Sequence, residues 1–321
     1  MGRGDSDRQS SVRTGLAILR PLVKSDSTGA AYWDEVGHHV GDERMLRFWL
    51  AHPVVRAYVN EAVSGSPDVW AVEWFGREFR DLLPLARCAV IGCGTGAVER
   101  DLVRRGLARS VTAIDVAPAA VAFAREEAER EGLSGAIRYE VRDAVGFLRE
   151  NVGGFDGIFF HGALHHLEPV REIVRLAKAS LRAGGILYID EYVGPSMREW
   201  TWWRLIAANL AYYLAAPRRL RRPRLVRAPR NPEDPSEMID SSGILPAVRR
   251  QLEILAERGY GGNLLALVYP NLRHEAAGGD ELGRVVGRLI AMERVVVRVA
   301  GSHHAVVVGK VAEASASDDR S

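Results

Sequence analysis

The apolar positions of this chain change their period along its length. Over 32–79 they recur every three to four residues and are rich in aromatics, which predicts two or three helices. Over 86–190 short β-rich runs alternate with helical stretches. The runs predict strands near 88–91, 111–115, 137–141, 157–160 and 186–190, with helices between them such as 118–131. Strand and helix alternating in this way build a parallel sheet with helices on both faces. After Pro195 the pattern changes. "MREWTWWRLIAANLAYYLAA" predicts one strongly apolar helix, and the next stretch, with seven arginines from Arg218 to Arg230 and then several prolines, predicts a loop. Regular periods return from Gly243, with a strand expected at 252–256, a helix at 280–299 and a clear last strand at 305–311. No internal repeat is visible. The expected organisation is a loose tail over 1–30, a helical cap over 31–85, an α/β core over 86–195 and 247–313, an insertion over 196–246, and a polar tail over 314–321.

Composition limits this picture without changing it. A chain of 321 residues, 47% hydrophobic, can bury one large α/β core with appendages or two modest domains. The formal net charge of +2 gives no global reason to expect nucleic acid. Cys88 and Cys93 make neither a disulfide framework nor a zinc site, so a reducing, cytoplasmic setting is expected. The first residues lack the apolar core of a secretory signal, and Gly2 with Ser6 fits the myristoylation pattern by chance. No apolar run is long and clean enough to span a bilayer.

The chemistry begins at "GCGTG", Gly92 to Gly96, where the first core strand meets a helix. Backbone N–H groups and the positive end of the helix gather there, and glycines remove the Cβ atoms that would keep a ligand away. A tight turn needs one glycine; three suggest close approach of a nucleotide-like ligand. The spacing is not GxGxxG, although Ala97 stands where a third small residue could serve. Asp115 ends the second strand and can accept hydrogen bonds from both ribose hydroxyls. Asp143 follows the third strand and can accept from an exocyclic amine, cap the next helix, or do both.

Acid–base candidates follow the fourth and fifth strands. "HGALHHL" offers His161, His165 and His166, and a helical reading places His161 and His165 on one face with His166 elsewhere. Asp190 and Glu191 end the fifth strand, at the carboxyl edge where open α/β sheets bind ligands. Only one of two adjacent strand residues can face the cleft, and Glu191, with Tyr192 nearby, is the expected one. The carboxylates are accounted for without a metal, so none is expected. His303 and His304 receive no role.

GCGTG, Asp115, the Asp143–Ala144 pair, "FDGIFFHGALHHL" and "LAKASLRAGGILYIDEYVG" together resemble the class I S-adenosylmethionine-dependent methyltransferases. The resemblance runs over about 32–190, with 305–311 similar to their antiparallel last strand. It implies a doubly wound, mostly parallel seven-stranded sheet in the order 3-2-1-4-5-7-6, with N-terminal helices and a helical insertion after strand 5. It also implies S-adenosylmethionine as cofactor. Gly92, Cys93, Gly94 and Gly96 would line its methionine, Asp115 its ribose, Val116 its adenine face, and Asp143 with Ala144 its adenine edge. His161 would lie beside it, and Tyr32 and Trp33 would cover it. The implied reaction is in-line methyl transfer to a small molecule, most simply to oxygen of a sugar or secondary metabolite, with His165, His161 or Glu191 assisting proton removal.

Two other readings stay open. One is a non-catalytic or membrane-attached protein that binds the same cofactor. The other is a nicotinamide oxidoreductase, against which stand the missing GxGxxG and the absence of a Tyr-xxx-Lys pair. A nucleic-acid amino-methyltransferase would carry an Asn/Asp-Pro-Pro-aromatic motif where this chain has "HGAL". The 200–230 segment has two readings as well. The favoured one is a lid helix packed on the core with a solvated arginine loop. The other is a membrane-surface helix that contacts a lipid-like substrate.

Overall fold

The computed structural model describes residues 48–229, 234 and 236–313. Seven strands form one sheet: β1 (Leu85–Ile91), β2 (Ala108–Asp115), β3 (Ile137–Val141), β4 (Phe155–His161), β5 (Leu181–Tyr192), β6 (Glu253–Gly261) and β7 (His304–Lys310), in the order β3-β2-β1-β4-β5-β7-β6. The first five run parallel. β7 lies antiparallel between β5 and β6. This is the doubly wound sheet that the resemblance implies.

The strands read as continuous apolar runs because both faces are covered. Val90, Phe159, Tyr188, Val306 and Val308 face one core. Their strand neighbours Ala89, Ile91, Ile158, Phe160, Leu187, Ile189, Ala305 and Val307 face the other. The first core is closed by α1 (Pro53–Ser64), α2 (Ala71–Glu78), α3 (Ala97–Arg104) and α4 (Pro118–Arg130). The second takes α5 (Ala144–Glu150) and α6 (Val170–Ser180). Helix α7 (Trp202–Ala215) joins the first core and α8 (Ile244–Gln251) the second. Between β6 and β7, the short α9 (Leu265–Val268) and the long α10 (Glu281–Ala300) pack on the first.

Two boundaries differ from expectation. The Gly184–Gly185 pair does not precede the fifth strand but lies inside it. β5 starts at Leu181, and its register with β4 jumps between Phe155↔Leu181 and Gly157↔Ile186. Gly184, at φ 73°, absorbs the irregularity. β6 reaches Gly261 because all of β7 offers it a ladder, which the apolar pattern of the sixth strand alone does not show.

Candidate active site

The three glycines of the β1–α3 turn all have positive φ, 70°, 51° and 81° at Gly92, Gly94 and Gly96, but they answer different needs. A Cβ at Gly92 would lie 2.4 Å from the Ala163 Cβ, so this glycine lets the β1 and β4 turns touch. A Cβ at Gly96 would press on the Tyr139 hydroxyl and Ala124 at under 3 Å, so this one lets α3 start against the neighbouring strand and helix. Only at Gly94 would a Cβ meet nothing within 4 Å. Two serve the protein's own packing, and Gly94 alone borders open space.

Asp115, at the end of β2, holds this turn in shape. Its Oδ2 accepts the Gly94 N–H at 2.8 Å and its Oδ1 the Ala117 N–H at 3.0 Å. Arg100 ties the turn from below, donating to the Thr95 carbonyl at 2.8 Å and to Glu131 at 3.1 Å. Val116 follows with its side chain exposed, as an apolar wall would be. Asp143 caps α5 by accepting the Gly146 N–H at 2.7 Å, and Ala144 begins that helix. Cys93 is half-buried, and burial pushes its thiol well above the usual range, so it stays protonated. An open glycine beside a strand-end carboxylate and an exposed apolar side chain fits an adenosine-type group. Tyr32 and Trp33 lie outside the described residues.

At the ends of β4 and β5 the structure makes two histidine–carboxylate pairs. His161 is the last residue of β4, with its side chain 49% exposed, and its Nε2 lies 3.5 Å from Asp190 Oδ2. Asp190 Oδ1 accepts the Tyr260 hydroxyl at 2.6 Å. The second pair is buried. Glu191, 1% exposed, accepts the backbone N–H groups of Ala163 and Leu164 and meets His165 Nδ1, each at 2.7 Å. Burial draws the His165 proton affinity down, but the hydrogen bond and charge of Glu191, with Glu237 and Asp234, leave it raised overall.

Two expectations fail here for one reason. Leu164–His166 is a single 3-10 turn following a strand, not a helix. His161 and His165 therefore share no helix face, and the ring that packs on His165, centroids 4.1 Å apart, is that of His166. Likewise the carboxylate beside the exposed histidine is Asp190. Glu191 points beneath the turn, where it satisfies the turn's amides.

Sequence reasoning passed over His303 and His304. His303 Nε2 accepts from Arg204 Nη1 at 3.0 Å, which leaves the ring proton on Nδ1, a buried atom with no partner. Burial, then Arg204, lowers the His303 pKa to about 4; burial, then His303 and His165, lowers that of His304 to about 3. Trp49, Tyr192 and Tyr260 pack around His304, and Tyr192 and Trp200 around His303. Two adjacent histidines entering an apolar strand were the available signal.

Residues 89–185 match a family described as a methyltransferase domain. The chain is 32% identical over 169 residues to a ubiquinone biosynthesis O-methyltransferase of Methylocella silvestris, covering 52% of this chain and 60% of that protein. It is 30% identical over 181 residues to the enzyme of the same name from Methylobacterium sp. strain 4-46, covering 56% and 65%. The match thus spans less than two thirds of either relative's length. A solved geranyl diphosphate methyltransferase aligns with TM-score 0.43 and 14% identity over 71% of this chain and 78% of that one. The matched segment holds the glycine turn, Asp115, Asp143 and the whole HGALHHL turn, so the part of the chain that is similar to a methyltransferase domain is the part that carries these residues.

Proposed function

We propose that this chain transfers a methyl group from S-adenosylmethionine to a hydroxyl oxygen of a small molecule. His161 takes the proton. The observation that carries this reading is the His161–Asp190 pair. Of the histidine–carboxylate pairs at these strand ends it alone has an exposed ring, and it stands next to the strand whose turn contains the open Gly94. The cofactor supplies an electrophilic methyl on a good leaving group, so the protein's work is positioning and proton removal. Asp115 fixes the turn that holds the ligand. Asp190, steadied by Tyr260, sits by Nε2 of His161 and favours the tautomer with its lone pair on Nδ1, which becomes the basic atom. Glu191 keeps the turn from His161 to His165 in place.

Calorimetric titration of the purified protein with S-adenosylmethionine, S-adenosylhomocysteine and NAD(H) tests the cofactor. The first two should bind at micromolar concentration, and Asp115→Ala should abolish that binding. Binding of NAD(H) alone would sink the reading.

The outer face of α7 supports a second element of function, contact with an anionic membrane surface. Trp202 (74% exposed), Ile206, Leu210 and Leu214 (62%) form one outward stripe flanked by Trp203 and Tyr213, while Ala208, Ala211, Tyr212 and Ala215 pack inward. Apart from Tyr212, the residues that meet the core are alanines and most of the large apolar ones face outward, which departs from the favoured lid-helix expectation. Arg218 to Arg227 follow at once, and Arg221 lies over the Tyr213 ring at 4.5 Å. Apolar stripe and cationic end together suit anionic lipid headgroups. A second copy docked symmetrically on this face would bring arginine against arginine. Among the described residues, no helix is long and apolar enough to cross a membrane.

A further inference from the structure

We infer that His165, His166 and Glu237 form a binding site for a transition-type divalent cation such as zinc. The three side chains present donor atoms that all lie within 4.8 Å of one another. His165 Nε2 is 3.8 Å from Glu237 Oε1, and His166 Nε2 is 4.0 Å from Glu237 Oε2. Those separations match a space between the atoms rather than hydrogen bonds, and a cation at about 2.0–2.2 Å from each donor fits there after a small contraction.

The surroundings supply three further observations. Each ring is oriented from behind. His165 Nδ1 meets Glu191, and His166 Nδ1 meets the Ser236 hydroxyl at 3.1 Å with Asp234 Oδ2 at 3.3 Å. A carboxylate on the far nitrogen of each imidazole is the usual support of a metal-bound histidine, because it fixes the ring and turns Nε2 toward the ion. Second, the charge does not balance. Glu191 and Asp234 are fully buried and Glu237 is half-buried, and among the described residues no arginine or lysine pairs with any of them. Third, Asp234 Oδ2 is buried and, apart from the His166 ring at 3.3 Å, meets no hydrogen-bond partner among the described residues. An unshielded excess of buried carboxylate is costly, and a divalent cation is the direct remedy.

Two imidazoles and one carboxylate select a borderline ion of the zinc, cobalt or manganese kind over magnesium or calcium, which prefer all-oxygen cages. Three protein donors leave a position for water or a hydroxyl oxygen. The cation would also tie the 236–240 segment, whose Ile239 N–H already donates to the His165 carbonyl at 3.2 Å, to the turn after β4. Glu237 lies seventy-one residues beyond His166, so only the fold brings the cluster together and the sequence expectation of no metal was reached without it.

The test uses the full chain, stripped with a chelator and titrated calorimetrically with zinc chloride, magnesium chloride as comparison. One zinc per chain should bind, with magnesium at least about a hundredfold weaker. Glu237→Gln and His166→Gln should each weaken zinc by about tenfold or more, while His52→Gln, a histidine on another part of the surface, should not. Cobalt(II) should give visible d–d bands of low coordination number in the wild type and lose them in Glu237→Gln. Circular dichroism of each variant separates a lost site from a lost fold. No zinc binding by folded wild-type protein, zinc binding unchanged in both site variants, or equal preference for magnesium would each overturn the inference. The outcome does not depend on whether the chain transfers methyl groups.

Discussion

His161 and His165 are four residues apart and both sit by a carboxylate, yet their surroundings give them different work. The ring of His161 reaches solvent beside Asp190; that of His165 is closed in by Glu191, Tyr192 and the 236–240 segment. A base must touch its substrate, so the exposed ring carries the proton transfer and the buried one organises the turn. Once an acceptor turns over, His161→Gln should lower kcat by about 10²–10⁴-fold while S-adenosylmethionine affinity changes little. Asp190→Asn should fall less far, because it disturbs tautomer and orientation and leaves the imidazole in place. Single-turnover rates with calorimetry on the same samples check this. A His161→Gln enzyme with undiminished kcat would move the role of base to another group.

Each of the three glycines in the β1–α3 element carries its own expected cost. Gly96→Ala forces a Cβ into the left-handed region and against the Tyr139 hydroxyl and Ala124. Strain of about 1–2 kcal/mol and overpacking of about 1–3 kcal/mol should add, lowering the thermal midpoint by several degrees or more. Gly94→Ala bears only the strain, but its methyl enters the open space. It should cost about 1–2 kcal/mol of stability and at least about tenfold in cofactor affinity. Thermal melts and titration of the pair decide whether the open space at Gly94 is the ligand's place; equal affinities would say it is not. Helix α7 makes a prediction of the same kind. Ile206→Glu with Leu210→Glu changes only outward residues, so the melting temperature should hold within a degree or two. Flotation should show wild type on vesicles containing anionic lipid, less at high salt and little on neutral lipid, with the double variant at least about tenfold weaker. A folded wild type that ignores anionic vesicles, a dimer that the substitutions break apart, or a double variant that melts early because the stripe is covered within the chain would each remove the membrane from the account.

At the scale of the molecule, legibility follows sequence distance. The strands of the parallel core could be read because a strand covered on both faces must be apolar throughout, as "CAVI" and "GIFF" are, and because each is followed by its own helix. Asp115 and Asp143 could be read because a strand end is a fixed place in such a sheet. The turn after β4 was misread because three residues of 3-10 helix carry no period, and partners of its histidines come from Asp234, Ser236 and Glu237, outside any regular element. His303 and His304 were illegible for a related reason: their burial depends on Trp49, Tyr192 and Trp200, from three distant parts of the chain. That burial has a consequence for the stability of the whole fold. Both imidazoles have an ordinary pKa of 6.5 when unfolded, against about 4 and about 3 when folded. Between those limits the unfolded chain binds more protons, so stability rises with pH and is lost as pH falls below 6.5. Each histidine should withdraw about 2 kcal/mol between pH 6.5 and pH 5, at about 1.36 kcal/mol per pH unit. His304→Phe keeps a ring between Trp49 and Tyr260 and removes one titration. Urea unfolding at pH 7 and pH 5 should show wild type losing several kcal/mol and His304→Phe about 2 kcal/mol less. An identical loss in both proteins would mean that acid enters elsewhere and that His304 does not stay neutral in the folded chain.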